Sequence, residues 1–348
     1  MNKSNEVFHS SVEGAQHGPK GLIGFFAFAK ECGAAGAQPS NFMLQTASGA
    51  LMEAKNIKVA FESAGLHLDG VSAHCPFWVH TSVWTGSPTI RPFIPPNMTS
   101  ESPDKIEAWA EDYVLRLLDL CAELGIKIVP MFWGVALGWE VASGYPWGMW
   151  KGPGYDLVAE GIERFVTKTA KIRAHANSLG IKLAHEIHPG TAAQCAYDFL
   201  TLVAACDNDS CLVVNVDPSH CWDGETWEQR FLAVAERCVG CHVKNHVVRP
   251  GFPLRCMAPD WPDRGMQFTD LASGDINLVR FIELMIHIGY PARYCELMGT
   301  ETAPLVTEAE SAYRDLDATA AAAIAYTNEA LIWPVATQSF EDGMGEAA

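Results

Sequence analysis

The chain has 348 residues, more than most single domains and about the size of one α/β barrel with insertions. Its 24 basic and 41 acidic side chains leave a formal net charge of −17, which argues against a surface built to hold a nucleic-acid backbone and against a polyanionic substrate. At 49% hydrophobic and 19% charged residues, it has ample material for a core. The start, Met1-Asn2-Lys3-Ser4-Asn5-Glu6, lacks the apolar stretch of a signal peptide, and no apolar run is long enough for a bilayer. The 11 cysteines are odd in number and scattered, mostly inside apolar segments, so they read as free thiols in a reducing compartment. A cytoplasmic protein without a membrane or nucleic-acid partner is expected.

In chain order, a first strand is expected around Val7 to Ser11, with two more at Ala34 to Pro39 and Leu66 to Ala73. A helix pattern from about Asp104 to Leu124 closes on Gly125 and leads into the buried-strand run Ile126-Lys127-Ile128-Val129-Pro130-Met131. A second helix, roughly Tyr155 to Leu179, closes on Gly180 before Ile181 to Glu186, and a third, Thr191 to Cys206, precedes Cys211 to Asp217. Val239 to Lys244 and Arg293 to Leu297 read as the last strands, with helices over about Asn277 to Ile288 and Thr307 to Glu329. A tail of about 331–348 follows.

Alternation of buried strands with amphipathic helices implies a parallel sheet, and eight such units favour one closed (β/α)₈ barrel spanning residues 1–348 as a single domain. No G-x-G-x-x-G opens the chain, which weakens a dinucleotide-binding reading. Two long connections interrupt the pattern. One, after the fourth strand, runs from Trp133 to Gly154 and carries Trp133, Trp139, Tyr145, Trp147 and Trp150. The other, after the seventh, runs from His246 to Asp275. Both should lie at the C-terminal face of the barrel, where such folds build their sites.

The chemistry-bearing residues sit at strand ends. Glu186 ends Ala184-His185-Glu186, Asp217 ends Asn215-Val216-Asp217, His242 lies in Cys241-His242-Val243, and Glu296 lies in Tyr294-Cys295-Glu296. Three carboxylates and an imidazole on successive strands would meet at one rim, where uncompensated carboxylates repel. A divalent cation removes that cost. The donor set suits Mn²⁺ best, with Mg²⁺, Co²⁺ and Zn²⁺ as alternatives. Each residue alone has a plainer explanation: a surface Glu, an Asp217 N-cap before Pro218, a core His242.

The D-x-x-H of Asp217 and His220, the His242-Val243-Lys244 run and a C-terminal Glu296 together resemble the xylose-isomerase-like TIM-barrel superfamily of sugar isomerases and epimerases. The resemblance extends from the second strand to the last helix. It implies that Glu186, Asp217, His242 and Glu296 bind the metal and that Glu186 and Glu296 flank a substrate carbon and move its proton. It also implies substrate contacts for His188 and Arg249. His220 is a candidate hydrogen-bond partner of substrate or of a ligand carboxylate, and Lys244, two residues after His242, should point inward. His74, ending the third strand, is a candidate acid or base, and Trp133 a stacking surface. The corresponding plainer roles are capping for His220 and His74, salt bridging for Lys244 and Arg249, and loop packing for Trp133.

Three readings of function remain open on the sequence. The superfamily default is a ketose 3-epimerase or aldose–ketose isomerase. The aromatic loop after the fourth strand and the stretch His246-Val247-Val248-Arg249-Pro250-Gly251-Phe252-Pro253 look more like the catalytic α subunits of C-glycoside deglycosidases. That likeness implies a lyase that cleaves 3-oxo-glycosides, releases an aromatic aglycone and works with a small β subunit. The third reading is a non-catalytic sugar-binding subunit, disfavoured by an intact set of candidate ligands. Homo-oligomerisation is compatible with each. A DNA-repair endonuclease of the same fold would want a basic face that the charge of −17 does not provide.

Overall fold

A computed structural model describes residues 7–135, 151–152, 154–222, 224–253 and 263–333. Eight parallel strands form one curled sheet: β1 (Phe8–Glu13), β2 (Gly36–Gln38), β3 (His67–Leu68), β4 (Ile128–Met131), β5 (Lys182–Glu186), β6 (Leu212–Val216), β7 (Cys238–Val243) and β8 (Ala303–Thr307). Around the sheet they run β3-β2-β1-β8-β7-β6-β5-β4. Between its two ends, the Ala73 N–H donates to the Pro130 carbonyl at 2.9 Å, bridging the segment after β3 to β4. The result is the (β/α)₈ barrel expected.

Helices cover the outside: α1 (Gly21–Glu31), α2 (Ala54–Ala64), α3 (His74–Ser82), α4 (Pro103–Leu124), α5 (Leu157–Leu179), α6 (Ala196–Ala205), α7 (Trp227–Ala233), α8 (Leu278–His287), α9 (Tyr290–Met298) and α10 (Leu316–Tyr326). The helix stops at Gly125 and Gly180 fall where expected, both in the left-handed region (φ +80° and +68°), which glycine enters without a Cβ clash. No described helix is long and apolar enough to cross a membrane. The described cysteines are all free thiols.

One element is corrected. Arg293 to Leu297 is not a strand but the body of α9. Gly289, in the left-handed conformation, precedes it, Pro291 occupies its first turn, and Gly299 closes it with φ +70°. These are helix boundary signals that outweigh the β-leaning Tyr294-Cys295 pair. The eighth strand instead follows, as the buried run Ala303-Pro304-Leu305-Val306-Thr307. The helix expected to start at Thr307 therefore begins later, with Asp315 accepting from the backbone of Asp317 and Ala318 as its cap.

The connection after β7 forms a hairpin in which Asn245–Val248 pairs antiparallel with Met266–Thr269. Of the connection after β4, Trp139, Tyr145, Trp147 and Trp150 lie outside the described residues, as does the expected tail beyond residue 333.

Register at the site end depends on an irregularity between β6 and β7. Val214 pairs with Cys238 but Asn215 with Gly240, a one-residue slip that re-aims the side chains beyond it. A Cβ at Gly240 would lie 2.4 Å from Asn215 Oδ1, so only glycine leaves room there for the Asn215 amide, whose Nδ2 donates to Glu186. Gly240→Ala should therefore cost about 1–3 kcal/mol of stability, as overpacked cores do. It should also pull Asn215 off Glu186. Chemical denaturation of the variant checks this, and an unchanged unfolding midpoint would contradict it.

A candidate metal centre at the barrel rim

The C-terminal ends of the strands bring a dense set of titratable groups together. Glu186 is the last residue of β5, and Asp217 directly follows β6, where its Oδ1 caps a short turn by accepting from the Ser219 N–H at 2.7 Å. His242 lies near the end of β7. Glu308, the residue after β8, completes the group. One ligand atom each from Glu186, Asp217, His242 and Glu308 lies within 4.8 Å of every other.

Glu308, and not Glu296, is thus the fourth residue. Glu296 lies on α9, beside Lys182 at the start of β5, Val213 near the start of β6 and Val239 near the start of β7, along a groove of about 400 Å³. That is the opposite end of the barrel. The correction follows directly from the misread strand: the carboxylate that ends the true eighth strand is Glu308.

His242 Nδ1 lies 3.0 Å from Glu186 Oε2 and 3.5 Å from Glu308 Oε2. Its other nitrogen, Nε2, is 2.9 Å from Gln38 Oε1, which can only accept, so Nε2 carries a proton and Nδ1 faces the carboxylates. Such a second partner is what fixes the orientation of a metal-binding imidazole. Glu186 is steadied by Asn215 Nδ2 at 3.1 Å. Lys244 is buried, as its inward placement predicts, and its Nζ lies 2.9 Å from Glu308, 3.1 Å from Glu310 and 3.3 Å from Asp217. Gln16 Nε2 donates to Glu308 at 2.9 Å and Glu310 at 3.1 Å.

His74 is the first residue of α3. Its Nδ1 is 2.9 Å from Ser72 Oγ, and its Nε2 is 3.2 Å from Glu186 Oε2. His220 Nε2 lies 3.1 Å from Glu186 Oε1 and 3.2 Å from Asp217 Oδ2. The His188 ring lies tilted against two others, 4.0 Å from that of His220 and 5.3 Å from that of Phe132. His74, His188, His220 and Lys244 therefore all gather around the four-residue group.

Trp133 is not placed as a stacking surface would be. Trp133 is fully buried, edge-on to Phe77 at 5.0 Å and Phe165 at 5.8 Å, so it packs the barrel wall and offers no face to a substrate. The contacts described for Arg249 lie within the excursion after β7: Nε and Nη2 donate to the Arg264 carbonyl, and the guanidinium sits 3.9 Å over Phe252. The sequence reading also missed Gln38, Asn215 and Glu13. Glu13 ends β1 fully buried, and its carboxyl is pushed up to about 7 by that burial and then by Glu308. All three are polar residues at strand ends, the one signal that could have drawn attention to them.

The donor set fits a divalent cation on the evidence of its own unmet bonding. Asp217 Oδ2, His242 Nδ1, His220 Nε2 and His74 Nε2 are buried and make no hydrogen bond of regular geometry. Each nonetheless lies about 3.0–3.3 Å from an oxygen or nitrogen of the group, a separation typical of atoms sharing one ion at about 2.0–2.2 Å. Their near neighbours are one another, an arrangement that a single central cation would satisfy.

The electrostatics agree. Burial alone would raise the Glu186 carboxyl, but the neighbouring His242, His220 and His74 rings hold it well below the usual range. Burial likewise opposes charge on His242, and the Glu186 carboxylate outweighs it, so His242 stays protonated well above its ordinary range. The His220 ring is raised to about 9 by Asp217 against the same burial. Burial keeps His188 neutral, down to about 3.

The chain belongs to the xylose isomerase-like TIM-barrel family, whose model matches residues 26–317. Solved structures share the fold. 3-Keto-D-glucoside 4-epimerase YcjR from E. coli is 13% identical, with 92% of this chain and 98% of that chain covered and a TM-score of 0.58. D-allulose 3-epimerase from Methylomonas sp. is 13% identical over 93% of this chain and 98% of that one, with a TM-score of 0.55. A xylose isomerase-like TIM-barrel protein from Mycobacterium smegmatis, solved in complex with magnesium, is 17% identical over 88% and 86%, with a TM-score of 0.53. No curated protein matches the chain.

Two outcomes follow for the purified protein. Glu308→Gln should lower metal content sharply, while Glu296→Gln should leave it unchanged, as read by elemental analysis after dialysis against Mn²⁺; the reverse pattern would restore Glu296. Because a bound ion displaces the proton from His242 Nδ1, affinity for Mn²⁺ should rise with pH between about 6 and 8, approaching tenfold per unit for one proton released. Calorimetry in buffers of different ionisation enthalpy measures that proton, and a pH-independent affinity would contradict the assignment.

Proposed function

We propose that the chain is a divalent-metal enzyme that removes a proton beside a carbonyl of a sugar or oxo-sugar, with Glu186, Asp217, His242 and Glu308 as ligands. The observation that carries the reading is the pair of carboxylates, Glu186 and Glu308, approaching the same His242 nitrogen at 3.0 and 3.5 Å. A carbon-bound proton next to a carbonyl needs a base within reach and a positive centre for the oxygen that gains charge. A bound ion supplies that positive centre.

The remaining groups have roles to match. Glu186 is kept ionised by its imidazole neighbours and is suited to accept the proton. Glu308 is held ionised against its burial by Lys244, which leaves it a second base on the same centre. His74 and His220 reach Glu186 from two sides and can pass a proton to or from it. Lys244 offers a buried cation to a substrate oxygen or anion.

Within this class we favour an oxo-glycoside lyase of the C-glycoside deglycosidase α-subunit kind. Loss of the acidified proton beside an oxidised sugar carbon would expel an aromatic aglycone. Aromatic rings at the rim support it: Phe132 lies 4.8 Å from His74 and 5.3 Å from His188, and Phe268 lies 5.8 Å from His220. The second reading is a sugar epimerase, favoured by the fold shared with a 3-keto-glucoside 4-epimerase and a ketose 3-epimerase.

The two separate in one experiment. Mn²⁺-loaded protein is incubated with 3-oxo-glycosides, with and without a small partner protein, and with free ketoses in D₂O. Release of aglycone, read by chromatography, supports the lyase; deuterium uptake and epimer formation by proton NMR support the epimerase. In either case Glu186→Gln should lower kcat about 10²–10⁴-fold, the usual worth of a positioned base. Full activity in that variant, or no turnover and no exchange on either panel, would sink the proposal.

A further inference from the structure

Arg230, in the middle of α7, is only 2% exposed although its side chain is permanently charged. Its Nε donates to Glu225 Oε2 at 2.9 Å, and the same oxygen accepts from the N–H of Ala196, at the start of α6, at 3.1 Å. The other bonds of the guanidinium go to backbone carbonyls. Nη1 lies 3.3 Å from the Ile187 oxygen and 3.4 Å from the His220 oxygen, and Nη2 lies 3.1 Å from the Gln194 oxygen.

These three carbonyls belong to the two connections that carry His188 and His220. Ile187 precedes His188, and Gln194 ends a loop that closes on itself. Within it the His188 N–H donates to the Ala193 carbonyl at 3.2 Å, and Thr191 Oγ1 donates to the His188 carbonyl at 2.7 Å. Arg230 therefore holds both ends of that loop. Through Nη1 it also holds the turn after β6, at His220 itself. One nitrogen thus sits between two backbones whose imidazoles lie 4.0 Å apart, and His220 Nε2 meets Glu186 Oε1 at 3.1 Å.

Packing alone does not require an arginine here, because replacing a buried ion pair by apolar side chains of similar volume is often neutral or stabilising. A guanidinium offers five N–H donors in one rigid plane, which suits a carboxylate and three fixed carbonyls. A lysine ammonium offers three donors around a single point and cannot span them.

We propose that Arg230 is a positioning residue that sets the backbones of His188 and His220 against each other and so holds both rings beside Glu186, without touching substrate. What the rings are held for, proton removal by Glu186, rests on the proposed function; the holding itself does not.

The test reads the two rings directly and needs no substrate. The metal-free full chain is prepared with isotope-labelled histidine, and its ring signals are assigned by NMR with single His→Gln variants. Arg230→Lys keeps the charge and loses the planar fork. Arg230→Met combined with Glu225→Gln removes the pair without orphaning a carboxylate. In each, the His188 and His220 ring signals should shift, while those of His9 on β1 and His17 in the turn after it stay in place. On any sugar substrate that turns over, kcat should fall about 10²-fold with KM changed less than about twofold, the cost of misplacing a group by about 1 Å. Unmoved His188 and His220 signals in a folded variant would overturn the positioning role and leave the proposed reaction untouched. Shifts spread over all the histidines, or unfolding of both variants, would also overturn it, since Arg230 would then serve the fold as a whole. Shifts confined to the two rings, with no turnover of any sugar by wild type, would uphold the positioning role and count against the reaction.

Discussion

Negative charge confined at one end of the barrel is the constraint on which the rest depends. Glu186, Asp217 and Glu308 converge where burial opposes their ionisation, with Glu13 and Glu310 close by. Effective penalties of several kcal/mol per buried charge make such a cluster untenable without positive partners. Lys244 and the protonated His220 and His242 rings supply part of the balance. A cation bound among the carboxylates would take over that balance and release the imidazole protons.

The barrel's register delivers these groups. Glu186 pairs with Asn215 across β5 and β6, and His242 pairs with Val306 across β7 and β8, which sets Glu308 two residues beyond that pairing. The slip at Val214/Asn215 turns Asn215 towards Glu186 and is permitted by Gly240 on the facing strand. Gln38, from β2 on the far side of β1, holds His242. Side chains from half the circumference thus fix one imidazole, and the site is as rigid as the sheet that carries it.

Much of this was legible in the sequence, and the exceptions have physical causes. Buried runs located β4 to β7, the first two after helices that stop on Gly125 and Gly180, and with them Glu186, Asp217, His242 and the inward Lys244. The eighth strand was misplaced because Tyr294 and Cys295 lean towards β structure while Pro304 interrupts the true strand, and ligand assignment failed with it. Gly289 with Pro291 at one end and Gly299 at the other were the overlooked evidence for a helix. Trp133 was read as a loop aromatic because exposure cannot be inferred at a strand–loop junction; packing against Phe77 and Phe165 decided it. Gln38, Asn215 and Glu13 carry no spacing signature, since what joins them to the site is contact between distant strands.

The most direct test of the account is a crystal structure of the Mn²⁺-soaked protein with diffraction collected at the manganese edge. An anomalous peak at about 2.0–2.3 Å from oxygens of Glu186, Asp217 and Glu308 and from His242 Nδ1 is the predicted result. Density empty at that point, or manganese held by Glu296 at the opposite end of the barrel, would contradict it.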